Sequence, residues 1–178
     1  MTARPRADGA LGRHTRTSPK EGSPMSRTLD PALAGLAQGW CALSALHSRI
    51  EAHIERALQN RHELSVREFS VLDVLNRQHN GEGGHLRMNE VADAVVLSQS
   101  ATTRLVTRLE DRGLLTRYLC LTDRRGIYTD VTDAGRALLE EARPTNDAAL
   151  REALDEAANR TELAPLVAAV ESLAPAAP

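Results

Sequence analysis

The chain has 178 residues, of which 42% are hydrophobic, 26% charged and 2% aromatic, and its formal net charge is −2. This is the size of one domain with tails, and the composition is that of a soluble globular protein with an aliphatic core. No apolar run approaches the roughly 18 residues of a membrane span. No hydrophobic signal segment follows the N-terminal arginines, and two distant cysteines favour neither a disulfide framework nor a metal site, so we expect a reducing, cytoplasmic compartment.

Residues 1–28 differ in composition from the rest of the chain. They hold three prolines, three glycines, six basic residues and two acidic residues, with almost nothing to bury. Such a segment does not offset its ordering entropy, so it is predicted to be a disordered basic tail. Residues 29–178 then form one domain.

An apolar stripe with steps of three or four residues predicts a helix of nearly thirty residues from Leu29. Asp30 followed by Pro31 is the cap and first turn expected at its start. A helix of this length, about 45 Å at 1.5 Å per residue, is expected to pack against other helices or a second subunit. The stripe comprises Leu33, Leu36, Trp40, Leu43, Leu46, Ile50, Ile54 and Leu58.

The middle of the chain alternates short helices with a predicted hairpin. A helix opens at Ser65, three glycines in residues 80–84 break it, and a short strand is expected at residues 85–87. A helix over about Asn89–Val96 follows, then a tight turn and a helix with Ser98 as its N-cap and Gly113 as its stop. Its buried face is predicted to be Ala101, Leu105, Val106 and Leu109.

Two strands are predicted at residues 114–122 and 126–132, joined by a polar tip. A further helix begins at Thr132 and is expected to break at Pro144, and a last helix opens at Thr161. The chain is therefore predicted to be mainly α, with one small β-hairpin.

The helix that begins at Ser98 presents a polar outer face of hydrogen-bonding residues, with no acid before Glu110. Glutamine pairs with adenine and arginine with guanine, and small hydroxyls contact bases or phosphates. Residues 85–128 contain seven arginines against five acids, whereas residues 129–178 contain four arginines against ten acids. DNA binding and a merely solvated helix face both fit this pattern. The candidate residues are Ser98, Gln99, Ser100, Thr102, Thr103, Arg104, Thr107 and Arg108.

Residue identities in the hairpin resemble a known signature. Asp123-Arg124-Arg125, followed by Val131-Thr132-Asp133-Ala134-Gly135, resembles the D-x-R…L-T-x-x-G pattern of the MarR family of winged helix-turn-helix transcription regulators. The segments Glu90-Val91-Ala92 and Ser98 to Leu115 are similar to the helix-turn-helix of that family. The resemblance covers about Leu29 to Ala174.

The resemblance implies a homodimer that binds a palindromic operator in double-stranded DNA, as a repressor released by a small molecule. A winged helix-turn-helix lobe of about residues 62–135 would lie between dimerisation helices of about residues 29–60 and 145–174. Arg125 would enter the minor groove with Asp123 buttressing the wing and Arg124 beside them, because a narrow groove concentrates negative potential. The implied effector is a phenolic or lipophilic anion in the crevice between that lobe and the dimerisation helices.

Three alternatives are weighed against this hypothesis. Cys41 lies where the peroxide-sensing branch of the family has a reactive cysteine, but the tyrosines expected around it are absent, so Cys41 is interpreted as a small buried hydrophobe. Cys120 at the wing base is interpreted as packing rather than as a redox switch. A winged helix used only for protein–protein assembly is the second alternative. An enzyme is the third, and the absence of a phosphate loop, nucleophile elbow or metal-ligand spacing argues against it and against a cofactor.

Overall fold

A computed structural model describes residues 30–79, 86–119 and 127–173. The order of elements in these ranges confirms the mainly helical fold with one small antiparallel sheet, and the predicted tail at residues 1–28 lies outside them. The elements are α1 (Pro31–His62), α2 (Val66–His79), α3 (Met88–Ala94), α4 (Gln99–Asp111), β1 (Leu115–Leu119), β2 (Ile127–Val131), α5 (Asp133–Ala158) and α6 (Ala164–Ser172).

The long first helix begins as the sequence predicts. The Asp30 carboxylate accepts a hydrogen bond from the Ala32 amide at 3.0 Å, and Pro31 occupies the first turn. The helix runs for 32 residues and ends at Glu63, whose φ of 53° is left-handed. No helix of the described ranges is both long and apolar enough to cross a membrane.

A reciprocal pair of hydrogen bonds starts α2. The Ser65 hydroxyl accepts from the Glu68 amide at 3.1 Å, and the Glu68 carboxylate accepts from the Ser65 amide at 2.9 Å. The carboxylate of Glu55 on α1 accepts from the Val66 amide at 2.7 Å. Three otherwise orphaned N–H groups are thereby satisfied, which fixes the angle between α1 and α2.

The predicted strand at residues 85–87 is reduced, in its described part, to a single bridge between Arg87 and Tyr128. The helix after it starts earlier than predicted, at Met88. No hydroxyl residue is available to cap it, and the Glu90 carboxylate instead accepts from the Arg87 amide at 2.6 Å. Strands β1 and β2 pair in register from Leu115 opposite Val131 to Leu119 opposite Ile127.

The predicted helix break at Pro144 is wrong, because α5 continues from Asp133 to Ala158. Proline removes one amide donor, and the carbonyl it leaves unpaired belongs to Glu140, on the exposed side of the helix. The exposed side of the helix is open to solvent there, while Ala142 and Thr145 on the opposite side stay buried. One continuous helix therefore joins the hairpin to the C-terminal end of the fold.

The main hydrophobic core lies between α2, α3, α4, the sheet, the first half of α5 and the second half of α1. Its fully buried side chains are Leu58, Leu64, Val71, Leu72, Leu75, Val91, Val106, Leu109 and Leu139. At its edge the carboxylate of Asp73 is 7% exposed and receives guanidinium hydrogen bonds from Arg77 and from Arg143, the latter at 2.7 Å. A smaller cluster of Leu46, Ala157, Leu163 and Val167 joins α1, α5 and α6.

The first half of α1 exposes its apolar stripe instead of burying it. Together with the end of α6 it forms what we term the apolar helix end, which the described part of the chain leaves uncovered. Its members are Leu33 (58% exposed), Leu36 (72%), Trp40 (68%), Leu43 (47%), Val170 (43%) and Leu173 (83%).

Candidate nucleic-acid interface

A short turn between α3 and α4 positions the second helix. The Val96 amide donates to the Asp93 carbonyl at 3.2 Å and the Leu97 amide to the Ala92 carbonyl at 3.0 Å. Val96 adopts a left-handed φ of 53° with its side chain exposed. Ser98 then caps α4 by accepting from the Ala101 amide at 3.3 Å, as the sequence predicts.

The inner face of α4 differs from the prediction at one position. Thr102, expected to face outward, is fully buried with Leu105, Val106 and Leu109, so that expectation is wrong. Its hydroxyl donates to the Ser98 carbonyl at 3.1 Å, which satisfies the polar group and lets the side chain pack as an apolar one. Ala101, expected in the core, is only half-buried.

The outer face of α4 carries the other predicted side chains of this helix, and all of them are exposed. They are Gln99, Ser100, Thr103, Arg104, Thr107 and Arg108. The hydroxyls of Thr103 and Thr107 donate to the carbonyls four residues earlier, at 2.8 and 3.0 Å. Arg104 donates through Nε to the Ser100 carbonyl at 3.3 Å, with its side chain still exposed.

Two residues that sequence reasoning missed hold this face in place. Arg117 on β1 donates to the Thr107 hydroxyl at 2.9 Å and pairs with Glu110 at 3.1 Å. Glu68 on α2, 8% exposed, lies 3.9 Å from Arg108 and 3.6 Å from Arg112. The hairpin and α2 therefore both brace α4. The sequence predicts a helix opening at Ser65 but does not single out Glu68, and no local pattern indicates its arginine partners.

The base of the hairpin shows why the threonine and glycine of the signature are needed. The Thr132 hydroxyl donates to the Gly113 carbonyl at 2.7 Å and accepts from the Gly135 amide at 3.0 Å, so one side chain ties the end of α4 to the start of α5. A Cβ on Gly135 would lie 2.2 Å from the Leu114 carbonyl oxygen. Tyr118 and Tyr128 face each other across the ladder, with ring centroids 6.1 Å apart.

Several predicted residues fall elsewhere. Asp123, Arg124, Arg125 and Cys120 lie outside the described residues. The prediction that Cys41 is buried is wrong: its thiol is free and the residue is exposed, because the described part of the chain does not cover the first half of α1. The described ranges contain no cluster of three histidine, cysteine or carboxylate side chains able to hold a metal ion.

Comparison with known proteins agrees with this geometry. A family model described as the MarR family matches residues 62–126. The chain is 30% identical over 110 residues to the HTH-type transcriptional regulator MhqR of Bacillus subtilis (strain 168), an alignment covering 62% of this chain and 72% of MhqR.

Two solved structures extend the likeness. CouR from Rhodococcus jostii RHA1, bound to p-coumaroyl-CoA, is 32% identical with a TM-score of 0.54, over 60% of this chain and 71% of CouR. Sco3205 from Streptomyces coelicolor, a MarR family regulator in complex with DNA, is 26% identical with a TM-score of 0.58, over 78% of this chain and 88% of Sco3205. MhqR and Sco3205 are transcriptional regulators rather than enzymes, and the chain belongs to the MarR family of DNA-binding transcriptional regulators.

Proposed function

We propose that this regulator is a repressor that binds a palindromic operator as a homodimer and is released by a small organic anion. The observation that carries the proposal is the outer face of α4, whose six exposed hydrogen-bonding side chains precede the first carboxylate of that helix, Glu110. A surface that meets phosphates must lack acids, and this one does.

Helix α4 is the element that would enter the major groove. The first residues of a recognition helix reach base edges, and Gln99, Ser100 and Thr103 are placed there. Arg104 and Arg108 lie further along the helix, where a guanidinium reaches a guanine edge or a phosphate. The bracing by Arg117 and Glu68 keeps the face rigid, so little ordering entropy is lost on binding.

The tip between β1 and β2 would contact the adjacent minor groove. The in-register ladder of β1 and β2 is the base from which the tip would extend. The assignment of Arg125 to the groove, with Asp123 and Arg124 beside it, rests on the signature in the sequence. A narrow minor groove favours an inserted guanidinium over other side chains.

The apolar helix end supports the homodimer. Exposed apolar surface of this kind marks an interaction site, and a second copy offers an identical complementary surface. Two-fold symmetry places two α4 helices to read half-sites about one helical turn apart. Palindromic operators follow from that symmetry.

A phenolic or lipophilic anion is the effector class we propose. The support is chemical, since CouR, at 32% identity, is bound to p-coumaroyl-CoA, which carries a phenol and negative charges. A ligand that favours one spacing of the two recognition helices over another shifts the population and lowers operator affinity.

The test is fluorescence anisotropy on the DNA upstream of the gene, with a scrambled duplex of equal length as competitor. With about 6–10 phosphate contacts, we expect operator affinity to fall about 10³–10⁵-fold between 50 and 200 mM salt. Mild peroxide should leave the affinity unchanged if neither cysteine is a switch. Equal, salt-insensitive affinity for both duplexes would favour the protein-assembly alternative instead.

A further inference from the structure

Two adjoining cavities lie along the face that α1 turns toward the end of α5. The first, of about 390 Å³, is floored by alanines of both helices and ringed by Arg49, His53, Arg56 and Arg160, with Glu156 the carboxylate among its lining residues. The second, of about 450 Å³, extends toward the start of α1. Both are of the size that small-molecule sites occupy.

The two cavities differ in chemistry and share a wall. Ala45 and Arg49 line both, so they form one continuous groove. The second cavity is lined largely by small apolar residues of α1 and by Leu163, with Gln38 and Glu162 at its margin. One end of the groove is therefore cationic and the other is apolar.

Arg56 of this groove donates a hydrogen bond to the His53 ring at 3.4 Å, and one arginine on α2 and one on α5 form ion pairs. Arg67 pairs with Glu51 at 2.7 Å, and Arg143 with Asp73 at 2.7 Å. Within the described ranges, neither Arg49 nor Arg160 forms an ion pair. The nearby Glu152 is taken by His53 at 3.1 Å.

Unpaired positive charges that line a cleft raise its local positive potential and attract an anion. Guanidinium groups bind a carboxylate or sulfonate through paired N–H donors. The alanine floor admits an apolar body without a steric clash. The charged head of one ligand would thus lie at the guanidinium groups, and its apolar body would lie on the alanines.

We propose that this groove binds an elongated organic anion, with its charged head between Arg49 and Arg160 and its apolar body toward Leu163. The groove lies between α1, the end of α5 and the turn before α6, and not in the crevice beside the winged helix-turn-helix lobe. A regulatory effect rests on the function proposed above. Its route is α5, which runs unbroken from Asp133 at the hairpin to Ala158 beside the groove.

The probe is anilinonaphthalene sulfonate, titrated against the full chain by fluorescence without DNA. Phenylnaphthylamine, which has the same rings and no charge, is the matched probe. We expect R49Q/R160Q to weaken sulfonate binding at least about tenfold, since two charged hydrogen-bonding partners are lost. Binding of the neutral probe should stay unchanged.

The control variant is R61Q/R151Q, which removes the same two charges from the same region of the fold at exposed positions outside the groove. Circular dichroism checks that both variants are folded. Equal sulfonate affinity of the two variants would overturn the site, and so would equal affinity of wild type for the charged and neutral probes.

A second arm separates the site from its regulatory effect. The sulfonate should weaken operator binding by wild type but not by R49Q/R160Q. Arginine-dependent probe binding with no change in operator affinity would keep the site and reject the regulation. Loss of operator binding without any probe would reject the proposed function, and the titration without DNA would still decide the site.

Discussion

The lobe from α2 to β2 buries its large apolar side chains, whereas the apolar helix end exposes them. In the lobe, Leu72, Val106 and Leu109 are fully buried. At the helix end, Leu36 is 72% and Trp40 68% exposed. The lobe is complete within one chain, whereas the helix end has surface for another. The chain thus divides into a DNA-binding lobe that folds around its own core and a helix end that we propose as the dimer interface.

The charges divide along a similar line. Residues 85–128 carry seven arginines against five acids, while residues 129–178 carry four arginines against ten acids. An acidic distal region is repelled by the phosphates that attract the lobe, which favours one orientation on DNA. The near-neutral net charge conceals this division.

The largest expected effect comes from a charge placed in the helix end. Trp40→Asp should raise the dimer dissociation constant at least about 100-fold, because a carboxylate would be buried unpaired in the interface. Operator affinity should fall with it, and sedimentation velocity with anisotropy measures both. Gln38→Asp, which adds the same charge at an exposed polar position of α1, is the control. A dimer unaffected by Trp40→Asp would contradict the proposed interface.

The next effect tests the packing of the lobe onto α5. Gly135→Ala should lower the free energy of unfolding by about 2–3 kcal/mol, because the new methyl overlaps the Leu114 carbonyl and Val131. Gly35→Ala, where the space around a Cβ is open, should instead raise it by about 0.5–1 kcal/mol through helix propensity. Urea denaturation gives both values. Similar effects of the two substitutions would argue against the close approach.

A smaller change is expected on the outer face of α4. Arg104→Gln should weaken operator binding about tenfold, with the exposed Arg151→Gln of α5 as control. A loss of similar size on scrambled DNA, with a salt slope lower by about 1, would indicate a phosphate contact. A loss confined to the operator would indicate a base contact. No loss on either duplex would remove Arg104 from the interface.

Much of the fold is readable from local patterns. The Asp30–Pro31 start and the Ser98 cap follow from backbone chemistry acting within a few residues, whereas Gly135 is marked only by the family signature and its close contact is with the distant Leu114. Thr102 was misplaced because residue type suggested an outward face, while its hydroxyl is satisfied by the Ser98 carbonyl inside the fold. A local pattern does not distinguish a threonine that faces outward from one whose hydroxyl is satisfied by its own helix.

The remaining errors and omissions depend on distant partners. Pro144 stays helical because Glu140 faces solvent, which the sequence does not reveal. Arg117 on β1 and Glu68 on α2 brace α4, and contacts between residues so distant in sequence leave no local pattern. The exposure of Cys41 likewise depends on what covers α1. The assignment of Asp123, Arg124 and Arg125 to DNA contact came from the family resemblance, because no hydrophobic periodicity marks such a tip.

The smallest predicted effect concerns backbone strain in the lobe, at the turn before α4. Val96 is β-branched and holds a left-handed φ of 53° at the turn before α4, with 84% of its surface exposed. Val96→Gly should raise the free energy of unfolding by about 1 kcal/mol, because relief of this strain exceeds the entropy that glycine adds to the unfolded chain. Glu63→Gly, at the same φ but without a branched Cβ, should gain less. Urea denaturation with unchanged slope measures both, and a loss of stability in Val96→Gly would mean that packing of the valine outweighs its strain.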